Sequence, residues 1–173
     1  MKNTKKITLS ALFLALGLVM PFVTMQIPEI GSMLLPMHIP VMICGFVCGW
    51  KYGLLVGFIT PLLRSVIFGM PYMMPTAVGM AFELATYGAM AGLLYYTLKK
   101  TKFRTYISLL VAMIVGRIVW GMASMIIYQM MGSAFTWQIF VASAFITAIP
   151  GIVVQLVVIP PIIAVLRNNE FIE

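Results

Sequence analysis

Long apolar stretches separated by two alternating kinds of gap constrain this chain more than any other feature. One kind of gap is basic: Lys2, Lys5 and Lys6, then Lys51, then Lys99, Lys100, Lys102 and Arg104, then Arg167. The other kind carries no Lys or Arg. Nine of the eleven basic residues therefore fall in every second gap, which is the positive-inside pattern of a multi-pass membrane protein. The remaining two, Arg64 and Arg117, lie inside apolar stretches. A charge there is costly unless it has a partner or a function.

The chain thus reads as an all-α integral membrane protein, a six-transmembrane-helix bundle with N- and C-termini in the cytoplasm. Residues 1–173 form one domain. The predicted spans are Ile7–Met25, Leu34–Gly49, Tyr52–Gly69, Thr76–Leu98, Thr105–Met131 and Trp137–Leu166. Crossing a bilayer takes about 20 helical residues, so the second is short and the sixth long. Pro150, Pro160 and Pro161 should kink or end the sixth. The basic Lys2–Lys6 segment resembles the start of a signal peptide, but the apolar run continues to Met25 without a convincing cleavage site. It is read as a retained first span. Only 9% of residues are charged, against roughly a quarter in a soluble domain. The net charge of +7 lies beside span ends, so the lipid bilayer, and not nucleic acid, is the expected partner.

The gaps without basic residues are Gln26–Pro36, Gly69–Pro75 and Gly132–Thr136, all placed outside. The cytoplasmic Trp50-Lys51 gap is tight enough to make a helical hairpin of spans two and three. Tyr95, Tyr96, Tyr106 and Trp50 stand near span ends, where aromatic rings anchor helices at the interface. Cys44 and Cys48 are one helical turn apart and read as small buried hydrophobes. With one histidine and no aspartate, no metal site and no cofactor is expected.

The candidate functional residues are the polar groups within the spans. His38 opens the second, Arg64 lies near the outer end of the third, and Glu83 sits about two turns into the fourth. Arg117 and Gln155 are near the middles of the fifth and sixth. Groups this costly should face inward, onto one another or onto a ligand. Glu83 has two candidate cationic partners, Arg64 and Arg117. Two outcomes stay open: a structural salt bridge, or a polar pocket open to the outside. Helical phase aligns Glu83 with Tyr87, Arg117 with Trp120, Ser124 and Tyr128, and Thr147 with Gly151 and Gln155. Such mixed aromatic and hydrogen-bonding stripes suit a small polar ligand. Tyr72, Met70, Met73 and Met74 lie in an external loop placed to close over it. Two arginines against one glutamate favour a ligand with a carboxylate or phosphate, or a zwitterion, and disfavour a strongly cationic one.

On the first span Ala11 and Ala15 stand four apart, a small-xxx-small spacing that lets another helix approach closely. No Walker, GxSxG or HExxH motif is present, and no two of the four glutamates are placed for acid–base work. The chain therefore reads as neither an enzyme nor an ATPase.

With its length, six spans, long first external loop, Ala11–Ala15 pair, Pro36-Met37-His38-Ile39-Pro40 opening and the following Gly45, Gly49, Lys51, Gly53 and Gly57, the chain resembles an S component. That is the substrate-binding subunit of an energy-coupling-factor (ECF) vitamin transporter. The resemblance implies that Ala11 and Ala15 dock on a transmembrane coupling subunit, which two cytoplasmic ATPase subunits drive. It also implies a pocket in the outer halves of the last three helices, gated by the first two external loops, and transport by toppling of the subunit in the membrane. The alternatives are a stand-alone secondary transporter, whose coupling ion only Glu83 could serve, and a non-catalytic scaffold subunit with no pocket.

Overall fold

The structure is a computed structural model, and it describes residues 3–24, 27, 31, 33–101, 103–133 and 136–168. Lys2, Met25, Gln26, Glu29, Lys102, Glu170 and Glu173, which entered the sequence reading, lie outside the described residues. The elements are helices: α1 (Asn3–Val19), α2 (His38–Cys48), α3 (Trp50–Phe68), α4 (Val78–Thr97), α5 (Arg104–Met130), α6 (Trp137–Val141) and α7 (Ile149–Asn168). A 3₁₀ turn (Met20–Thr24) extends α1, and π turns precede α4 (Met73–Ala77) and follow α6 (Ala142–Ile146).

Five helical segments are long and apolar enough to cross a bilayer: Asn3–Val23, Trp50–Phe68, Met73–Thr97, Arg104–Met130 and Ile149–Asn168. Their outward faces are apolar, with Val66, Ile67, Ile118, Met122, Ile126 and Val157 all more than half exposed. A soluble protein of this size does not present such a surface. The fold is a helical membrane bundle.

The predicted second span, Leu34–Gly49, is an α-helix only over the 11 residues His38–Cys48, less than the length a crossing needs. Its N-terminus is set by Pro36 and by Pro40, which is tolerated only in a first turn. Its C-terminus is set by Gly49, whose φ of 97° is open to glycine and strained for other residues. That single residue links α2 to α3. Nearly every residue of α2 is buried, so it is the bundle's central post.

The predicted sixth span is also divided. The α-helix breaks at Thr147–Ala148 and restarts at Ile149. Pro150 has no N–H for the carbonyl four residues back, and its ring crowds that carbonyl. Pro160 and Pro161, by contrast, lie inside α7, which runs on to Asn168.

Three helices meet with almost no side chains between them. A Cβ placed on Gly45 of α2 would strike the Gly88 carbonyl of α4. One on Gly53 of α3 would strike the same carbonyl, and one on Gly57 the Leu84 carbonyl. Gly92 lies against the Gly45 carbonyl and Trp50. Helices in lipid associate through such close packing, because the apolar solvent gives no hydrophobic drive. Around this seam lies a core that includes Val41, Met42, Phe46, Leu84, Tyr87 and Tyr95. Helix α1 packs on α2 and α3, whereas α7 touches α2 and α5 only sparsely.

Tyr95 is not an interfacial anchor. It is fully buried, edge-on to Phe46 at 5.3 Å between ring centroids. Arg104, read as part of a basic loop, begins α5 and is buried with its guanidinium 3.7 Å from the Tyr95 ring centroid, a cation–π arrangement. Cys44 and Cys48 are free and buried, and Cys44 Sγ lies 3.8 Å from Ser10 Oγ of α1.

Candidate functional site

Glu83 is the centre of the polar cluster. Its Oε1 lies 2.8 Å from Arg117 Nη1. The Tyr87 hydroxyl, one turn further along α4, donates to the same oxygen at 3.0 Å. His38 Nε2 is 3.7 Å away, too far for a hydrogen bond. All four side chains are buried. Gly116, one residue before Arg117, has no side chain because the Tyr87 ring fills that space. Of the two candidate cationic partners of Glu83, Arg117 is the one paired.

Arg64 is held elsewhere. Its Nη1 donates to the Leu18 carbonyl at the end of α1, and its guanidinium lies beside the edge-to-face Phe22–Phe68 pair, 5.2 and 5.1 Å from the ring centroids. The local sequence explains the open carbonyl. At the change from α to 3₁₀ geometry, the donor three residues after Leu18 would be Pro21, which has no N–H. Arginine at a helix C-terminus also meets the negative end of the dipole.

The Glu83–Arg117 pair is not sealed. A cavity of about 520 Å³ lies against it, within the size range of small-molecule sites. Its wall takes residues from α2, α3, α4, α5 and the segments before α2, α4 and α7, and none from α1, α6 or α7. Of the predicted site residues, His38, Arg64, Tyr72, Glu83, Arg117 and Trp120 line it. Tyr87 stands behind Glu83 and touches the cavity only through it. Ser124 is buried beside Gly79 and does not line it. Gln155 of α7 is buried with Nε2 lacking a hydrogen-bond partner among the described residues, also outside the lining. In the third stripe, Thr147 lines the cavity, whereas Gly151 lies beneath the Met33–Leu34 backbone. Met70 lines it too, while Met73 and Met74 are exposed.

Sequence reasoning missed Met37, Thr76, Met80 and Ser143 as wall residues, whereas Leu35 and Pro36 belong to the first external loop that the resemblance set over the pocket. Leu35 has a left-handed φ of 50°, uncommon for a residue with a Cβ. Only the hydroxyls of Thr76 and Ser143 near span ends could have signalled a wall. Trp120 stacks on Phe140 at 6.1 Å, and Trp137 lies 5.2 Å from Phe140, which ties α6 to the Trp120 wall. Thr136 caps α6 by accepting from the Ile139 N–H at 3.3 Å.

Several polar atoms at this site are buried without a hydrogen-bond partner among the described residues: both ring nitrogens of His38, and Nε and Nη2 of Arg117. Unsatisfied buried groups are rare and call for an explanation. Groups of three or more potential metal ligands are absent among the described residues. Ala11 and Ala15 sit on α1 with both residues exposed, on a face that no other described helix covers.

These features define a helical membrane protein with a small-molecule cavity sunk between its helices. The family model for the substrate-specific component of ECF transporters matches residues 5–163, and the chain belongs to that family. Its members are substrate-binding transport subunits. No curated protein and no solved structure matches the chain.

Proposed function

We propose that this chain captures a small vitamin or vitamin precursor, anionic or zwitterionic, in the cavity beside Glu83 and Arg117. It then carries that substrate across the bacterial cytoplasmic membrane together with a coupling subunit and two ATPase subunits. Pantothenate fits in size and charge. The observation that supports this most is the cavity itself, which has paired but unsealed charges in its wall and orphaned donors on His38 and Arg117. Its two arginines and one glutamate sum to one positive charge, which favours a ligand with one negative charge.

The whole chain is taken as one domain crossing six times with both termini in the cytoplasm. In that arrangement the short α2 and the residues before it make the second pass, and α6, the π turn and α7 together make the sixth. The exposed Ala11–Ala15 face of α1 is the docking surface for the coupling subunit. His38, Arg64, Tyr72, Glu83, Arg117 and Trp120 contact substrate, Tyr87 holds Glu83, and Ser124 and Gln155 act from outside the wall.

The test is mass spectrometry of small molecules that leave the purified protein on denaturation, followed by binding measurements on Arg117→Ala and Glu83→Ala. Loss of affinity in both is expected. Unchanged affinity in both would remove the site assignment.

A further inference from the structure

The wall of the cavity holds two electrically different places. At the first, Glu83 and Arg117 cancel. Every partner recorded for Glu83 falls on Oε1: Arg117 Nη1 at 2.8 Å, Tyr87 at 3.0 Å and His38 at 3.7 Å. Oε2 has no partner among the described residues. On the guanidinium, Arg117 Nε and Nη2 are buried and unmatched among the described residues. The pair therefore presents an acceptor beside donors, with no net charge. A carboxylate placed on the free donors would lie next to the Glu83 carboxylate and be repelled. An amide edge would not: its N–H meets Oε2 and its C=O meets the guanidinium.

At the second place, Arg64 lines the same cavity and has no carboxylate within 4.0 Å among the described residues. One N–H holds the Leu18 carbonyl. A guanidinium has five N–H donors, so others remain for a ligand. Phe22 and Phe68 pack beside it, and a guanidinium carries the planar fork that carboxylate and phosphate groups match.

On the reading of this cavity as the substrate site, we propose that recognition is divided. The Glu83–Arg117 pair reads an uncharged donor–acceptor group of the amide or lactam type, and Arg64 takes the substrate's single negative charge. The substrate class is then a monoanion that also carries an N–H next to a carbonyl. Dianions, cations and acids lacking such an edge are excluded.

The experiment releases the bound compound from the purified full-length protein and identifies its functional groups by fragmentation mass spectrometry. The same protein is screened by thermal shift against pantothenate, its uncharged alcohol panthenol, and pantoate, which keeps the acid and lacks the amide. A released monoanion with an amide-type edge supports the proposal. A released neutral, cationic or dianionic compound overturns it and leaves the cavity's role as a substrate site intact. No released compound and no thermal shift with any probe overturns both.

For whichever acid binds, its methyl ester and its N-methylated amide are then compared with the parent on the unmutated protein. Each should bind about tenfold or more weakly, the loss expected for one hydrogen bond to a charged group. Equal binding of either derivative overturns the division. Arg64→Gln should abolish the preference for acid over ester and Arg64→Lys should keep it. A preference that survives in Arg64→Gln assigns the charge to another residue and overturns the proposal.

Discussion

Arg117 Nη1 lies 2.8 Å from Glu83 Oε1, and both members of this closed pair also line a cavity. A buried ion pair of this kind contributes little net stability when intact but is costly to break. Glu83→Gln should therefore lower stability by about 3–5 kcal/mol, because it leaves Arg117 buried without a counter-charge. The double change Glu83→Gln, Arg117→Met should lose much less than the sum of the two single changes. Thermal unfolding of the four proteins in one detergent measures this coupling, and simple additivity would mean that the pair is hydrated through the cavity.

Tyr87→Phe removes the hydroxyl that donates to Glu83 and keeps the ring that fills the space at Gly116. A hydrogen bond to a charged group is worth about 1.5–3 kcal/mol. Ligand affinity should fall roughly tenfold or more at that energy, with the melting temperature of the ligand-free protein lowered far less than by Gly116→Ala, which displaces the ring. Titration calorimetry and thermal unfolding separate the two effects. Equal affinity for Tyr87→Phe and the parent would reduce Tyr87 to packing.

Ala11→Trp and Ala15→Trp alter an exposed face of α1. Each should block uptake by the complete transporter while the isolated subunit binds ligand with the parent's affinity. Normal uptake in either variant would place the docking surface elsewhere. Uptake by vesicles that contain this chain alone would instead favour a self-sufficient carrier.

Orientation in the membrane is open to direct measurement, because Cys44 and Cys48 are buried and give little background. In intact cells an impermeant maleimide should label Tyr72→Cys and Ser133→Cys. It should reach Lys51→Cys and Arg167→Cys only after permeabilisation. The reverse pattern would invert the topology drawn from the basic gaps.

The helices that span were legible because length and hydropathy suffice to define them. The hairpin at Gly49 was legible from the tight gap. Where the sequence misled, a proline or a distant partner decided the outcome. Three prolines in the last apolar stretch look alike in sequence, yet only the region before Pro150 breaks, while Pro160 and Pro161 are absorbed by α7. Nothing in the sequence around Arg64 points to Leu18, 46 residues away, whose carbonyl is open because of Pro21. The Glu83–Tyr87 link follows from their one-turn spacing and was visible. The exclusion of Ser124 and Gln155 from the wall was not, because helical phase fixes a face but not where along it a cavity ends.

The seam of Gly45, Gly53, Gly57, Gly88 and Gly92 has a kinetic consequence. Where backbone rests on backbone there are no rotamers to turn and no flexible side chain to give way, so α2, α3 and α4 form a stiff slab. Gly88→Ala should separate it, since the Gly53 backbone that its Cβ would strike cannot yield, and the loss should register as a sharply lower melting temperature. An aperture wide enough for a solute then has to be made by the opposite bank. There α7 packs less extensively on α2 and α5 than the slab's helices do on one another, so that bank is the one expected to act as a shutter against a fixed frame.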